Sequence, residues 1–164
     1  MKKFLVLAGV AVLFFGCAAQ KELVKTDEAA LNSAKSAIAQ AKTDIAGAKS
    51  AGADVYAKDL LSSAEEKLAG AENAFTKAEY SSAEKLAKQA SETAKLAAQK
   101  AVAAAAIEKA EADILSAKEA KAELVAPELM QSAAEYLGLA KKSFNNADYL
   151  KALELARKAS ESAG

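Results

Sequence analysis

One cysteine, no histidine and no tryptophan leave this 164-residue chain few side chains that can do chemistry. The cysteine, Cys17, is placed tellingly. Met1-Lys2-Lys3 forms a positive start, Phe4 to Phe15 an apolar stretch, and Gly16 a small residue directly before the thiol. That order reads as an export signal. The apolar stretch is too short to cross a bilayer, which takes about 20 apolar residues as a helix. The other reactive types are carboxylates, lysines, serines and tyrosines. Glu65-Glu66 and pairs such as Glu84 and Lys88 sit at helical spacing. Such pairs read as solvated helix faces worth a few tenths of a kcal/mol each, not as an acid and base with matched pKa values. Asp44 and Asp113 recur in both copies and could meet a partner, but a helix-surface carboxylate is the preferred reading. No His/Cys spacing or Asp-rich loop suggests a metal, and no cofactor or small-molecule substrate is implied. The sequence therefore predicts no enzyme.

Leu13-Phe14-Phe15-Gly16-Cys17 resembles the lipobox of bacterial lipoproteins, a Leu, small residues and then Cys. It departs from the usual pattern in placing Leu13 one position early and Phe14 and Phe15 inside the box. The resemblance implies a signal peptide over 1–16, cleavage before Cys17, and lipid attachment at Cys17 through a thioether diacylglycerol and an N-acyl chain such as palmitate. Two or more acyl chains, at about 0.8 kcal/mol per buried CH₂, anchor a protein stably where one does not. The other reading is a plain secretory signal, with Cys17 incidental. By resemblance to enterobacterial sorting, Ala18 in the second mature position favours the outer membrane.

Setting aside Lys2 and Lys3, 20 basic side chains face 22 acidic ones, with both signs mixed along the chain. No basic face results, so neither nucleic acid nor anionic lipid headgroups are expected partners. Alanine makes up roughly a quarter of the residues, while Gly and Pro are scarce, which reads as long helices.

The chain also repeats itself. Shifted by about 69 residues, Ala37 to Lys95 aligns without gaps on Ala106 to Gly164, and about 26 of about 59 pairs are identical. Ile38 matches Ile107, Asp44-Ile45 matches Asp113-Ile114, Phe75 matches Phe144, Tyr80 matches Tyr149, and Ser91-Glu92 matches Ser160-Glu161. Each copy breaks twice, at 52–56 and 77–79 in the first and at 121–125 and 146–148 in the second. Pro127 suits a helix start and keeps Ala126 out of the helical region. Asn145-Asn146 is a turn signal through asparagine's tolerance of left-handed angles.

Five helices follow, near 27–52, 57–77, 80–123, 127–145 and 148–163. The third, with no Gly or Pro, would be about 65 Å long. It is predicted to close one three-helix unit and open the next. The expected fold is all-α: elongated tandem three-helix units sharing a long central helix, with a tether at 17–25, a first unit at 26–100 and a second at 101–164. The plan resembles spectrin repeats in architecture. The stretches around Phe75, Ala78-Glu79-Tyr80 and Ala83, and around Phe144, Ala147-Asp148-Tyr149 and Ala152, resemble the helical hairpin of tetratricopeptide repeats. There the aromatics plug the hairpin end while small alanines let the helices approach.

Ala126-Pro127-Glu128-Leu129 and Ala147-Asp148-Tyr149, with the looser Tyr56-Ala57-Lys58-Asp59-Leu60 and Ala78-Glu79-Tyr80, resemble one further family. These are small alanine-rich bacterial lipoproteins with a domain of unknown function, marked by Tyr-Ala-Pro-Glu-Leu and Gly-Asp-Tyr. That resemblance implies a lipid-anchored cell-envelope protein on the periplasmic side of the outer membrane, a scaffold contacting an envelope protein or peptidoglycan. The alternative is a surface-exposed lipoprotein, an adhesin or antigen, binding an external partner.

Overall fold

The computed structural model describes residues 17–164, with side chains from Glu28 onward. The expected signal peptide over 1–16 and the Cys17 side chain lie outside the described residues. Among those described, the chain is helical throughout: α1 Cys17–Ser50, α2 Ala53–Tyr56, α3 Lys58–Thr76, α4 Tyr80–Glu119, α5 Ala122–Val125, α6 Pro127–Asn145 and α7 Tyr149–Ala163. The fold is all-α. The segment expected as a tether, 17–25, is drawn as part of α1.

Successive long helices reverse direction, so α1, α3 and α4 form one up-down-up unit and α4, α6 and α7 form another. The first half of α4 packs on α1 and α3, and its second half packs on α6 and α7. With 40 residues, α4 is about 60 Å long. The shared helix predicted by the repeat is thus present.

The seam between helices is made of alanine. Along α1 the buried positions Ala34, Ala41, Ile45 and Ala48 follow heptad spacing, and on α4 they are Ala83, Ala87, Ala90, Ala94, Ala97 and Ala101. Alternating steps of four and three keep one stripe facing the partner helix. A second stripe on α4 runs through Ala103, Ile107, Ala110, Ile114 and Ala117. Continuing the first stripe would bring position 104 inward, not 103. The buried face therefore turns by about 100° around the helix at Ala101–Ala103, one residue's worth of rotation. This is where α4 passes from one unit to the other, and the unbroken run Ala103 to Ala106 keeps the helix slim on several faces there.

Two findings differ from the sequence-based expectation. The first break of each copy is not a loop but a single helical turn, α2 and α5, entered through a left-handed residue: Gly52 (φ 84°) in one copy and Lys121 (φ 61°) in the other. That residue ends α4 at Glu119, four positions earlier than predicted. In the second break the left-handed residue is not an asparagine. Asn146 has φ −85°, and Ala147 (φ 59°) takes the turn, as Ala78 (φ 60°) does in the first copy.

The reason lies in the helix-ending hydrogen bonds. Glu79 N–H donates to the Ala74 carbonyl (2.9 Å) and Ala78 N–H to that of Phe75 (3.0 Å), with Asp148 to Ser143 (3.0 Å) and Ala147 to Phe144 (2.9 Å) repeating the pattern. This pair of bonds fixes the residue between them in the left-handed region, where glycine is at ease and a Cβ is crowded. Ala78→Gly, Ala147→Gly and Lys121→Gly are each expected to stabilise the fold, by up to about 1 kcal/mol, because relief of the Cβ clash exceeds glycine's extra unfolded-state entropy. Urea unfolding midpoints of the three variants check this. The same change at exposed helical Ala105 should lower the midpoint instead.

Candidate functional site

Cys17, the one residue singled out as a modification site, opens α1 as described. Ala34, about 25 Å along the helix axis from it, is the first buried residue among those with described side chains. No helix among the described residues is long and apolar enough to cross a membrane.

The polar residues that recur in both copies meet across helices. Asp44 on α1 accepts from the Ser91 hydroxyl on α4, and Asp113 on α4 accepts from the Ser160 hydroxyl on α7. The reading of Asp44 as a solvated carboxylate is corrected by this packing: its side chain is only 13% exposed, and Ser91 is buried. Gln40 also donates to Asp44 (3.0 Å), and Lys95 lies 3.5 Å away. Partial burial pushes the Asp44 carboxyl up, but the hydrogen bonds from Ser91 and Gln40 and the Lys95 charge outweigh it. The net position is below the ordinary carboxylate value. Asp113 is also held low, first by the hydrogen bond from Lys109 and then by that from Ser160. The sequence marked these positions, since Asp and Ser recur together 47 residues apart in both copies, but not that they bond.

These contacts fix the register of parallel helices whose alanine seam, being uniform, would tolerate sliding. Asp44→Ala is expected to cost about 1–3 kcal/mol, because it removes a charged acceptor and leaves the Ser91 hydroxyl buried without it. A carboxyl with a lowered folded pKa contributes fully above its unfolded value of about 3.9, and the contribution fades as pH falls through the folded value. The stability gap between wild type and Asp44→Ala should therefore be full at neutral pH and shrink in acid below the unfolded value. Urea midpoints across that range read it out.

Open grooves flank the seams. One of about 320 Å³ lies between α1 and α3 over Ile45 and Leu68. The charges at its rim pair with each other, Lys42 with Glu72 at 2.7 Å and Lys49 with Glu65 at 2.6 Å. The pairs Phe75–Tyr80 and Phe144–Tyr149 close the two hairpins, with ring centroids 5.4 and 5.2 Å apart at steep angles. All four rings are half-buried, as side chains that plug the hairpin ends. Among the described residues, no group of three or more His, Cys, Asp or Glu side chains converges as a metal site would require.

Two cross-helix contacts were not legible in the sequence. The Tyr56 hydroxyl donates to Glu108 (2.6 Å), and Lys100 pairs with Asp59 (3.1 Å). Both tie the α2–α3 corner to α4 beside the place where the buried stripe turns.

Residues 29–109 match DUF4398, a domain of unknown function. The DUF4398 match takes in α1 from Ala29, α2, α3 and α4 as far as Lys109. That is one complete three-helix unit and the crossover into the next, just under half of the chain. The second unit repeats it in sequence and in packing. No curated protein and no solved structure matches the chain.

Proposed function

We propose that this protein is a lipid-anchored helical scaffold of the bacterial cell envelope, held by acyl chains on Cys17 and facing the periplasm from the outer membrane. The observation that carries the reading is the single cysteine closing a short export-type apolar stretch behind two lysines. The architecture supports it. The long α1 between Cys17 and the buried seam that begins at Ala34 offers a stalk for the alanine-seamed units. The DUF4398 match is compatible with this role but names no activity. The scaffold presents helix faces and grooves to an envelope protein or to peptidoglycan.

Palmitate labelling of intact cells, followed by membrane fractionation, tests the anchor. Wild type should carry label and sediment with the outer membrane, while Cys17→Ala should lose the label and leave that fraction. Unlabelled, soluble wild-type protein would rule the anchor out. Protease treatment of whole cells then reads the face: protection places the protein in the periplasm, and digestion would favour a surface-exposed binding role.

A further inference from the structure

The internal repeat allows the two units to be compared groove by groove. Each unit has an open groove between its first and last long helices, α1 and α4 in the first and α4 and α7 in the second, at equivalent positions. In the first unit α4 runs on well past this place and the groove is open all the same, so the opening belongs to the way the two helices pack. The linings have diverged. Carried back to Ser33, the alignment sets Ser33 against Val102, Gln40 against Lys109, Glu84 against Leu153 and Lys88 against Arg157. In the first groove Lys88 pairs with Glu84 at 2.6 Å, so cation and anion cancel between serine and glutamine side chains. In the second groove Leu153 stands in the place of that acid. Arg157, the only arginine in the chain, has no ion pair among the described residues. Glu161 also lines the groove without pairing with it, and Asp113 is engaged by Lys109 and Ser160. Each of the four exchanges adds apolar surface, removes an anion, or adds or keeps a cation.

We propose that the α4–α7 groove is a binding site for an amphiphilic anion, an alkyl carboxylate of the fatty-acid type. The Arg157 guanidinium receives the carboxylate through two parallel N–H bonds, a geometry that a lysine in its place does not offer. The Lys109 ammonium, 3.1 Å from the Ser160 hydroxyl, adds positive charge on the same lining. The alkyl chain lies against Val102, Ala106 and Leu153, and covers Val102, which is otherwise 37% exposed. At about 360 Å³ the groove stands at the small end of ligand sites, which suits one chain of moderate length. One side of the groove stays open to water, so only part of the chain is buried and the dissociation constant is on the order of 0.1–1 mM. This site goes beyond the scaffold reading and does not depend on it.

A single arginine gives a single side-chain Nε–H signal in a ¹⁵N-edited NMR spectrum, and that signal reads the site directly. The probe is octanoate, added to the full chain in zwitterionic micelles with its free concentration set by equilibrium dialysis. The Arg157 signal should shift saturably with octanoate, while acetate and octyltrimethylammonium at the same concentrations should give no saturable shift. Leu153→Glu, which restores the acid that Glu84 supplies in the first groove, should weaken binding about tenfold or more, and Val102→Ser should weaken it severalfold. Val102 is partly exposed, so the second variant keeps the test sound if the first disturbs packing, and circular dichroism of both checks the fold. Glu84→Gln, in the first groove, should leave binding unchanged. No saturable shift up to about 10 mM free octanoate, or affinity indifferent to both groove variants, would overturn the proposal. So would an equal response to acetate, which would leave a bare anion contact, or much tighter binding of octyl phosphate, which would assign the groove to a phosphate headgroup. None of these readouts depends on acylation of Cys17, so the anchor and the groove stand or fall separately.

Discussion

Ile45→Ala is expected to destabilise the protein by about 2–4 kcal/mol, with Ile114→Ala close behind. Both isoleucines are almost fully buried, at 6% and 7% exposure, in seams otherwise lined largely by alanine. A core of methyl groups has little volume to lose at most positions, so its few large side chains carry a disproportionate share of the buried area. Deleting three carbons there removes their transfer free energy and leaves a cavity that rigid neighbouring helices cannot close. Ile45 packs with Ala48, Leu61, Ala94 and Ala97, and therefore bridges α1, α3 and α4 at once. Urea unfolding followed by circular dichroism reads the cost. Ile38→Ala, at a half-buried position on the same helix, should cost less, and equal losses at the two sites would contradict the packing argument.

The opposite substitution is expected to be harmful for the complementary reason. Ala90→Leu should cost about 1–3 kcal/mol, because Ala90 is fully buried against Ala41, Ala71 and Ala87 where α1, α3 and α4 approach closely. No large side chain in the described residues is completely shielded, so separation of helices is the only way to admit one at the seam. Separation would also stretch the contact that the adjacent residue Ser91 makes with Asp44. Exposed Ala105 supplies the control: leucine there should change stability by less than about 0.5 kcal/mol. Thermal midpoints of the two variants, measured side by side, separate crowding from any general effect of adding leucine.

These two substitutions also show how much of the fold was legible in the sequence. The repeat placed Ile45 and Ile114, Phe75 and Phe144, and Tyr80 and Tyr149 at equivalent positions, and each pair occupies equivalent surroundings. Helix number and type followed from composition, and the shared helix followed from the absence of Gly and Pro across its length. Left-handed Ala78 and Ala147 were marked only by standing where the Gly-Asp-Tyr pattern has its glycine, and left-handed Lys121 had no signal, because its residue type does not favour that conformation. The bonding around each helix end imposes it. Asp44 was misread for a related reason: at helical spacing a buried carboxylate and a solvated one look alike until the opposing helix is in place.

For the candidate sites the division is sharper. Cys17 and the export-type stretch before it are read entirely from sequence, since the reading rests on residue types and their order alone. By itself, then, the sequence determined the helices, their duplication and the residue proposed to carry lipid, because these depend on local preference and identity. The tertiary structure alone decided where the buried stripe of α4 turns from one unit to the other, and that Asp44 and Asp113 bond across helices instead of facing solvent. Each of these depends on what lies across the seam, and a periodic alanine pattern is nearly the same whichever neighbour it faces.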